Sequence, residues 1–140
     1  MTKALKQPLL KVRGLSVKFP IYGGVFQFKV DELVAVNNVS IDVYEGETLS
    51  VVGESGSGKS TLGKAIMAIL SLTAPDVIIQ GDILFRVNDT FVNLLTCSNA
   101  DLRRLRPQLQ MIFQDPFSSL NPRMIVNDII KEPLDIHTTL

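Results

Sequence analysis

With 140 residues, 46% of them hydrophobic, the chain is long enough for a single domain, one that would bury about two thirds of the surface its unfolded form exposes. Its 14 Lys+Arg offset 14 Asp+Glu to a formal charge of +0, so no global field draws it to nucleic acid or to an anionic bilayer. A single cysteine, Cys97, excludes an internal disulfide and fits a reducing compartment.

Lys3, Lys6 and Lys11 are not followed by the apolar core of a signal peptide. Leu10, Val12, Leu15, Val17 and Phe19 are spaced for a first strand with one irregularity, which Gly14 supplies, and Pro20 is expected to end it. Residues Ile21 to Leu33, with Gly23-Gly24 and interleaved Phe26, Phe28, Lys29 and Val30, read as a hairpin loop of moderate length. Val34-Ala35-Val36 is further strand material, as are Val39, Ile41 and Val43 alternating with Ser40 and Asp42. Glu45-Gly46-Glu47 turns the chain into Thr48-Leu49-Ser50-Val51-Val52, which reads as a short buried strand.

Next comes Gly53-Glu54-Ser55-Gly56-Ser57-Gly58-Lys59-Ser60, the pattern GxxxxGK[ST]. Leu62, Ala65, Ile66, Ile69 and Leu70 then fall on one face of a helix. Strand, glycine loop and helix together make a cradle for a nucleoside triphosphate. Without Cβ atoms at Gly53, Gly56 and Gly58, successive N–H groups can converge on phosphate oxygens, and the helix aims its positive end at the same anion. Lys59 reaches the β and γ phosphates, the Ser60 hydroxyl takes one position around Mg²⁺, and Thr61 adds a donor near the α-phosphate. By chance the four fixed positions would occur in roughly one chain of this size in a few hundred.

After the helix, Thr73-Ala74-Pro75-Asp76 is a stop signal. The apolar stretch from Ala65 to Leu72 is far shorter than the roughly 18 residues needed to span a bilayer. Ile78 to Val87 is strand-like, and Asn88-Asp89 followed by Phe91 to Leu94 suggests a second hairpin. Ser98 with Asp101 three positions on predicts a capped short helix through Arg106, halted by Pro107, with Arg103, Arg104 and Arg106 on its solvated face. Gln108 to Phe113 reads as a strand, and Ile125 to Glu132 as a helix that stops before Pro133.

The run Met111-Ile112-Phe113-Gln114-Asp115-Pro116-Phe117-Ser118-Ser119-Leu120-Asn121-Pro122-Arg123 puts a glutamine at the end of an apolar strand, before a loop. Such a glutamine can ligate Mg²⁺ and sense a γ-phosphate through water, or it can be merely structural. With Glu45-Gly46-Glu47-Thr48-Leu49 leading into the cradle, the segment beginning Phe19-Pro20-Ile21, and Met111 to Arg123, the chain resembles the N-terminal part of an ABC transporter ATP-binding subunit, nearest the oligopeptide/dipeptide importer branch. The likeness runs from about Leu10 to Leu134.

That resemblance implies an α/β fold, a P-loop NTPase core of ABC type with an antiparallel β subdomain, incomplete at the C-terminus. Residues 10–97 would form the strand-rich core with the phosphate loop, and 98–140 the Q-loop and the start of the helical subdomain. It implies ATP and Mg²⁺ as cofactors, with Phe19 stacking on adenine and Tyr22 a nearby competitor; Phe19 is otherwise a core residue. Gly53, Glu54, Ser55, Gly56, Ser57, Gly58, Lys59, Ser60 and Thr61 would bind the nucleotide, Ser60 and Gln114 the metal, and Gln114 would act as the Q-loop sensor. Implied partners are transmembrane permease subunits and a second ATP-binding subunit, with no nucleic acid and no direct membrane span. The implied location is the cytoplasm, peripheral on the inner face of the cell membrane through the permease.

Three parts of the family pattern are missing from these residues: an LSGGQ-like signature loop, an apolar strand ending in Asp-Glu, and a switch histidine. Asp31-Glu32 precedes the cradle and follows the alternating Gln27-Phe28-Lys29-Val30, so it is a decoy, and His137 is assigned to a frayed tail. A truncated or split subunit is therefore expected, able to bind ATP without hydrolysing it alone, and prone to aggregation through a bare sheet edge. The alternative is a non-catalytic nucleotide-binding or interaction module. A GTPase is disfavoured because neither Asp-x-x-Gly nor Asn-Lys-x-Asp occurs.

Overall fold

The computed structural model describes residues 7–25, 28–115 and 120–138; Phe26 of the expected hairpin loop and residues 116–119 of the glutamine motif lie outside these. The chain divides into two units, Met1–Cys97 and Ser98–Leu140.

In the first unit, β1 (Leu10–Gly23), β2 (Phe28–Val43), β3 (Ile78–Val87) and β4 (Thr90–Asn93) form an antiparallel sheet in the order β2-β1-β3-β4. Helices α1 (Lys59–Ile66) and α2 (Leu70–Thr73) lie between β2 and β3 in the sequence, and α1 packs on β1 and β2. The alternation on β1 buries Val12, Leu15 and Val17 completely. Together with Ile83, Phe85 and Leu94 they make one apolar layer, and Leu62 and Ala65 of α1 are buried with it. Each side chain fully removed from water contributes about 1.5–3 kcal/mol, so this small layer is what anchors α1 and the loop before it.

Gly14 marks a bulge with φ 57, as its place in the sequence suggests. Pro20 does not end β1: it pairs opposite Glu32, and the strand runs on to Gly23. Beyond Lys18 no residue of β3 pairs with β1, so among the described residues the ribbon is two-stranded there and has a free edge on which a residue without N–H is tolerated. The expected loop between Ile21 and Leu33 is accordingly mostly strand.

Two apolar runs that read as strands are not in any ladder among the described residues: 48–52 and 108–113. Leu49 and Val51 are half exposed and Val52 is 88% exposed, so the expected burial of this segment fails too. A strand buried on both faces needs hydrogen-bonding neighbours on both edges, and no described residue provides one. In place of burial, Leu49 to Val52 line an open apolar cavity of about 460 Å³ with Ala35, Val36, Val39, Ile41 and Leu62.

The helix after the cradle is also interrupted. Ala68 has φ 49, its N–H meets the Ala65 carbonyl at 2.9 Å, and the Ile69 N–H meets the Lys64 carbonyl at 3.1 Å. These are the paired bonds of a Schellman ending, made here with alanine in the left-handed position. The apolar face that looked continuous in sequence is therefore split between α1 and α2.

The second unit holds α3 (Asn99–Leu105), a 3-10 turn (Arg106–Gln108) and α4 (Val126–Thr138). Ser98 caps α3 as its sequence predicts: its Oγ accepts from the Asp101 N–H at 3.2 Å and donates to the Asp101 carboxylate at 2.6 Å. Ser98→Ala should cost about 1 kcal/mol, seen as roughly fivefold faster hydrogen exchange at Asp101 and Leu102 with the first unit unchanged. Unaltered exchange would show that the cap carries no stability. Contrary to expectation α4 runs through Pro133, and the half-buried His137 lies in this helix and not in a frayed tail. Pro133 is exposed, so the Ile129 carbonyl it cannot meet is able to turn to water, and the preceding turns have already nucleated the helix.

Candidate functional site

The site begins with a register fault in β2. Lys18 pairs with Val34 and Val17 with Val36, which leaves Ala35 with no opposite residue. Such a bulge re-aims the backbone. Gly58, at φ 89, approaches so closely that a Cβ on it would sit 2.1 Å from the Ala35 carbonyl oxygen. The glycine loop is thus seated on the sheet through its backbone.

From Gly58 the chain enters α1 with no side-chain cap and no acidic residue in the first turn. The amides of Gly56, Gly58, Lys59, Ser60 and Thr61 donate to no acceptor among the described residues; the nearby backbone bonds are Ser57 N–H to Glu54 O at 3.3 Å and Leu62 N–H to Gly58 O at 2.8 Å. Unpaired amides at a helix N-terminus form an anion site by construction. Lys59 folds over them, its Nζ donating to Gly53 O at 2.9 Å, Glu54 O at 2.5 Å and Ser57 Oγ at 3.4 Å. These acceptors are neutral, so a phosphate competing for the ammonium offers a stronger, charge-assisted bond.

Phe19, Leu33, Ala35 and the run from Gly56 to Thr61 line one cavity of about 250 Å³. The arrangement therefore unites Phe19 with Gly56, Ser57, Gly58, Lys59, Ser60 and Thr61. Tyr22, the competing aromatic, is about half exposed and is not among the residues lining that cavity. Gly53 and Glu54 enter through the carbonyls that hold Lys59, and Ser55 is exposed at the turn. Leu33 and Ala35 were not legible as site residues, because their segment reads as loop and ordinary strand; the pairing of Leu33 with Phe19 is the signal that finds it.

Gln114 belongs to the second unit, where it is exposed at a bend. Among the described residues no group of three or more His, Cys, Asp or Glu is placed to hold a metal. A cation at Ser60 would thus take most of its oxygen ligands from phosphate and water, the usual habit of Mg²⁺. Asp31-Glu32 is structural: Glu32 faces Lys29 at 2.5 Å and Lys18 at 3.3 Å, and hydrogen bonds from these two lysines hold its carboxyl below the ordinary range.

Glycine loop, uncommitted amides, overhanging lysine and helix define a P-loop nucleotide-binding domain. Residues 36–138 match the family model described as ABC transporter. The chain belongs to that family, and its α/β fold is that of the ABC-type P-loop NTPase with an antiparallel β subdomain. It is 43% identical over 138 residues to the "Oligopeptide transport ATP-binding protein AppF" of Bacillus subtilis, covering 98% of this chain and 39% of that protein. It is 44% identical over 131 residues to the "Glutathione import ATP-binding protein GsiA" of Salmonella typhimurium, covering 94% of this chain and 19% of that one. GsiA of Escherichia coli is 42% identical over 134 residues, 96% of this chain and 20% of the relative. The chain thus spans between 19% and 39% of the length of these curated relatives. Among the described residues no helix is long and apolar enough to cross a membrane.

Proposed function

We propose that this chain binds MgATP as part of the ATP-binding subunit of an ABC-type importer of oligopeptides or similar small peptides. The observation that carries the reading is the single cavity shared by Phe19 and the cradle residues Gly56 to Thr61. The bound nucleotide supplies the phosphoanhydride and the metal neutralises its charge. The amides of residues 56 and 58–61 hold phosphate oxygens, Lys59 exchanges carbonyl acceptors for anionic ones, Ser60 offers its hydroxyl to the metal, and Phe19 takes the face of the base. Gln114, through the family resemblance, is the second metal-side group and the sensor that passes the nucleotide state onward. The partners that fit are a membrane permease, through which the subunit would sit at the inner face of the cell membrane, and a second ATP-binding subunit.

No LSGGQ-like loop and no apolar strand ending in Asp-Glu follows Gln114 within these 140 residues. By themselves they should therefore hold MgATP without turnover. Phe19→Ala tests the base-binding role. Loss of an aromatic–base stack worth about 1–3 kcal/mol should weaken MgATP roughly five- to a hundredfold in a calorimetric titration, while magnesium tripolyphosphate binds as before. A native chain that takes up no MgATP would defeat the reading.

A further inference from the structure

We propose that Ser16 and Ser40 are positioning residues for the glycine loop: each closes a bulge in the opposite strand, and the two bulges together deliver the β1–β2 register in which Gly58 meets Ala35. Their effect on nucleotide rests on the reading above. Between the pairs Val12–Ile41 and Leu15–Val39, β1 has two residues, Arg13 and Gly14, where β2 has only Ser40. Between Leu15–Val39 and Val17–Val36 the excess is reversed, with Asn37 and Asn38 of β2 against Ser16 alone. One extra residue on each strand makes two successive bulges of opposite sense, so the second cancels the offset left by the first.

Each serine is thus the lone residue facing a bulge, and its hydroxyl accepts the N–H of the left-handed residue there. Gly14, at φ 57, donates to Ser40 Oγ at 2.9 Å, and Asn38, at φ 49, donates to Ser16 Oγ at 2.9 Å. Glycine reaches that conformation freely and asparagine at a cost, which the bond to Ser16 offsets. Among the described residues β2 is an edge strand that pairs with β1 alone, so its register is set against β1.

The loop reads that register directly. Asn38 is three residues from Ala35, about 10 Å along extended backbone. Val36, between them, pairs with Val17 and is buried. Its Cγ2 would lie 3.8 Å from a Cβ on Gly58, whose nearest neighbour is the Ala35 carbonyl oxygen. If β2 lost the Asn38 bulge and slipped by one residue, every side chain beyond would turn to the other face. Val36 would leave the core, and Ala35 would no longer face Gly58. The burial of Val36 opposes so complete a slip, so removing a hydroxyl should loosen the bulge without collapsing it. Neither serine lines the cavity of the cradle, so an effect on binding has to travel through the backbone.

In the full 140-residue chain, Ser16→Ala should weaken MgATP and magnesium tripolyphosphate by the same factor, about two- to tenfold, the worth of one hydrogen bond. The losses match because the fault lies in the seat of the loop and not at the base. Affinities are read well below the melting temperature of every chain, so lower stability by itself leaves them unmoved. Ser40→Ala should fall with Ser16→Ala. Ser16→Thr, which keeps the hydroxyl on a residue suited to strands, should bind within about twofold of native, well inside the loss of a hydrogen bond. Without ligand, the amide resonances of Gly58 and Lys59 should move in both alanine variants and stay in place in Ser16→Thr. Native affinity in the alanine variants, whatever their melting temperature, or an equal loss in Ser16→Thr, would overturn the proposal and leave the nucleotide site intact. A native chain that binds neither MgATP nor tripolyphosphate would overturn the nucleotide reading, and unmoved Gly58 resonances would then overturn this one as well.

Discussion

Lys59→Ala should abolish the thermal stabilisation that MgATP confers on the native chain. With ligand at about 100 times its dissociation constant, one-site linkage stabilises the native fold by roughly 2.7 kcal/mol. For a domain of this size that corresponds to a rise of about 10 °C in melting temperature. In the nucleotide-free chain the Lys59 ammonium is held by Gly53 O, Glu54 O and Ser57 Oγ, all exposed. Removing it therefore leaves no buried group unsatisfied, and the ligand-free variant should melt within a few degrees of the native chain. What it removes is the ammonium held against the loop by those oxygens, whose exchange of neutral acceptors for phosphate would drive binding. Circular dichroism melts of both chains, with and without MgATP, decide the matter. A variant that keeps the full shift would mean that nucleotide stabilises the fold elsewhere.

The parts legible in sequence are those that neighbours along the chain determine. The cradle at Gly53 to Thr61, the Ser98 cap, the Glu45-Gly46 turn and the β3–β4 hairpin with Asn88 at φ 55 all depend on a few consecutive residues, and each takes the local structure its composition demands. What could not be read depends on pairing. Leu49 to Val52 and Met111 to Phe113 are apolar enough for central strands, but strand formation waits on hydrogen-bonding neighbours that none of the described residues supplies. Pro20 lies in the two-stranded part of the ribbon and Pro133 on an exposed helix position where water can take the Ile129 carbonyl, so neither stops its element. The bulge at Ala35 has no residue signature at all, since alanine adopts it and only the register on either side reveals it. For that reason the glycine-loop end of the site was visible from composition, while the place of Leu33 and Ala35 in its lining was not.

The bulge also sets the second large effect. Gly58→Ala should destabilise the first unit by about 3 kcal/mol or more and weaken MgATP with it. The added Cβ would lie 2.1 Å from the Ala35 carbonyl oxygen, and this is backbone inside a paired ribbon, so it cannot swing aside as a side chain would. The φ of 89 adds left-handed strain of about 1–2 kcal/mol. Gly56 separates the two causes: it has φ 79 but nothing within 4 Å of an added Cβ, so Gly56→Ala should cost only the strain. Gly63, inside α1 and equally open, should gain about 0.5–1 kcal/mol as alanine. Denaturant unfolding of the three variants should therefore rank Gly63→Ala above native, Gly56→Ala slightly below and Gly58→Ala far below. If Gly56→Ala and Gly58→Ala fell together, the loop would not be seated on Ala35, and the cradle would owe its shape to its glycines alone. If they separate as expected, the sheet register positions the phosphates, and a one-residue slip in β2 would displace the anion site along with the strand.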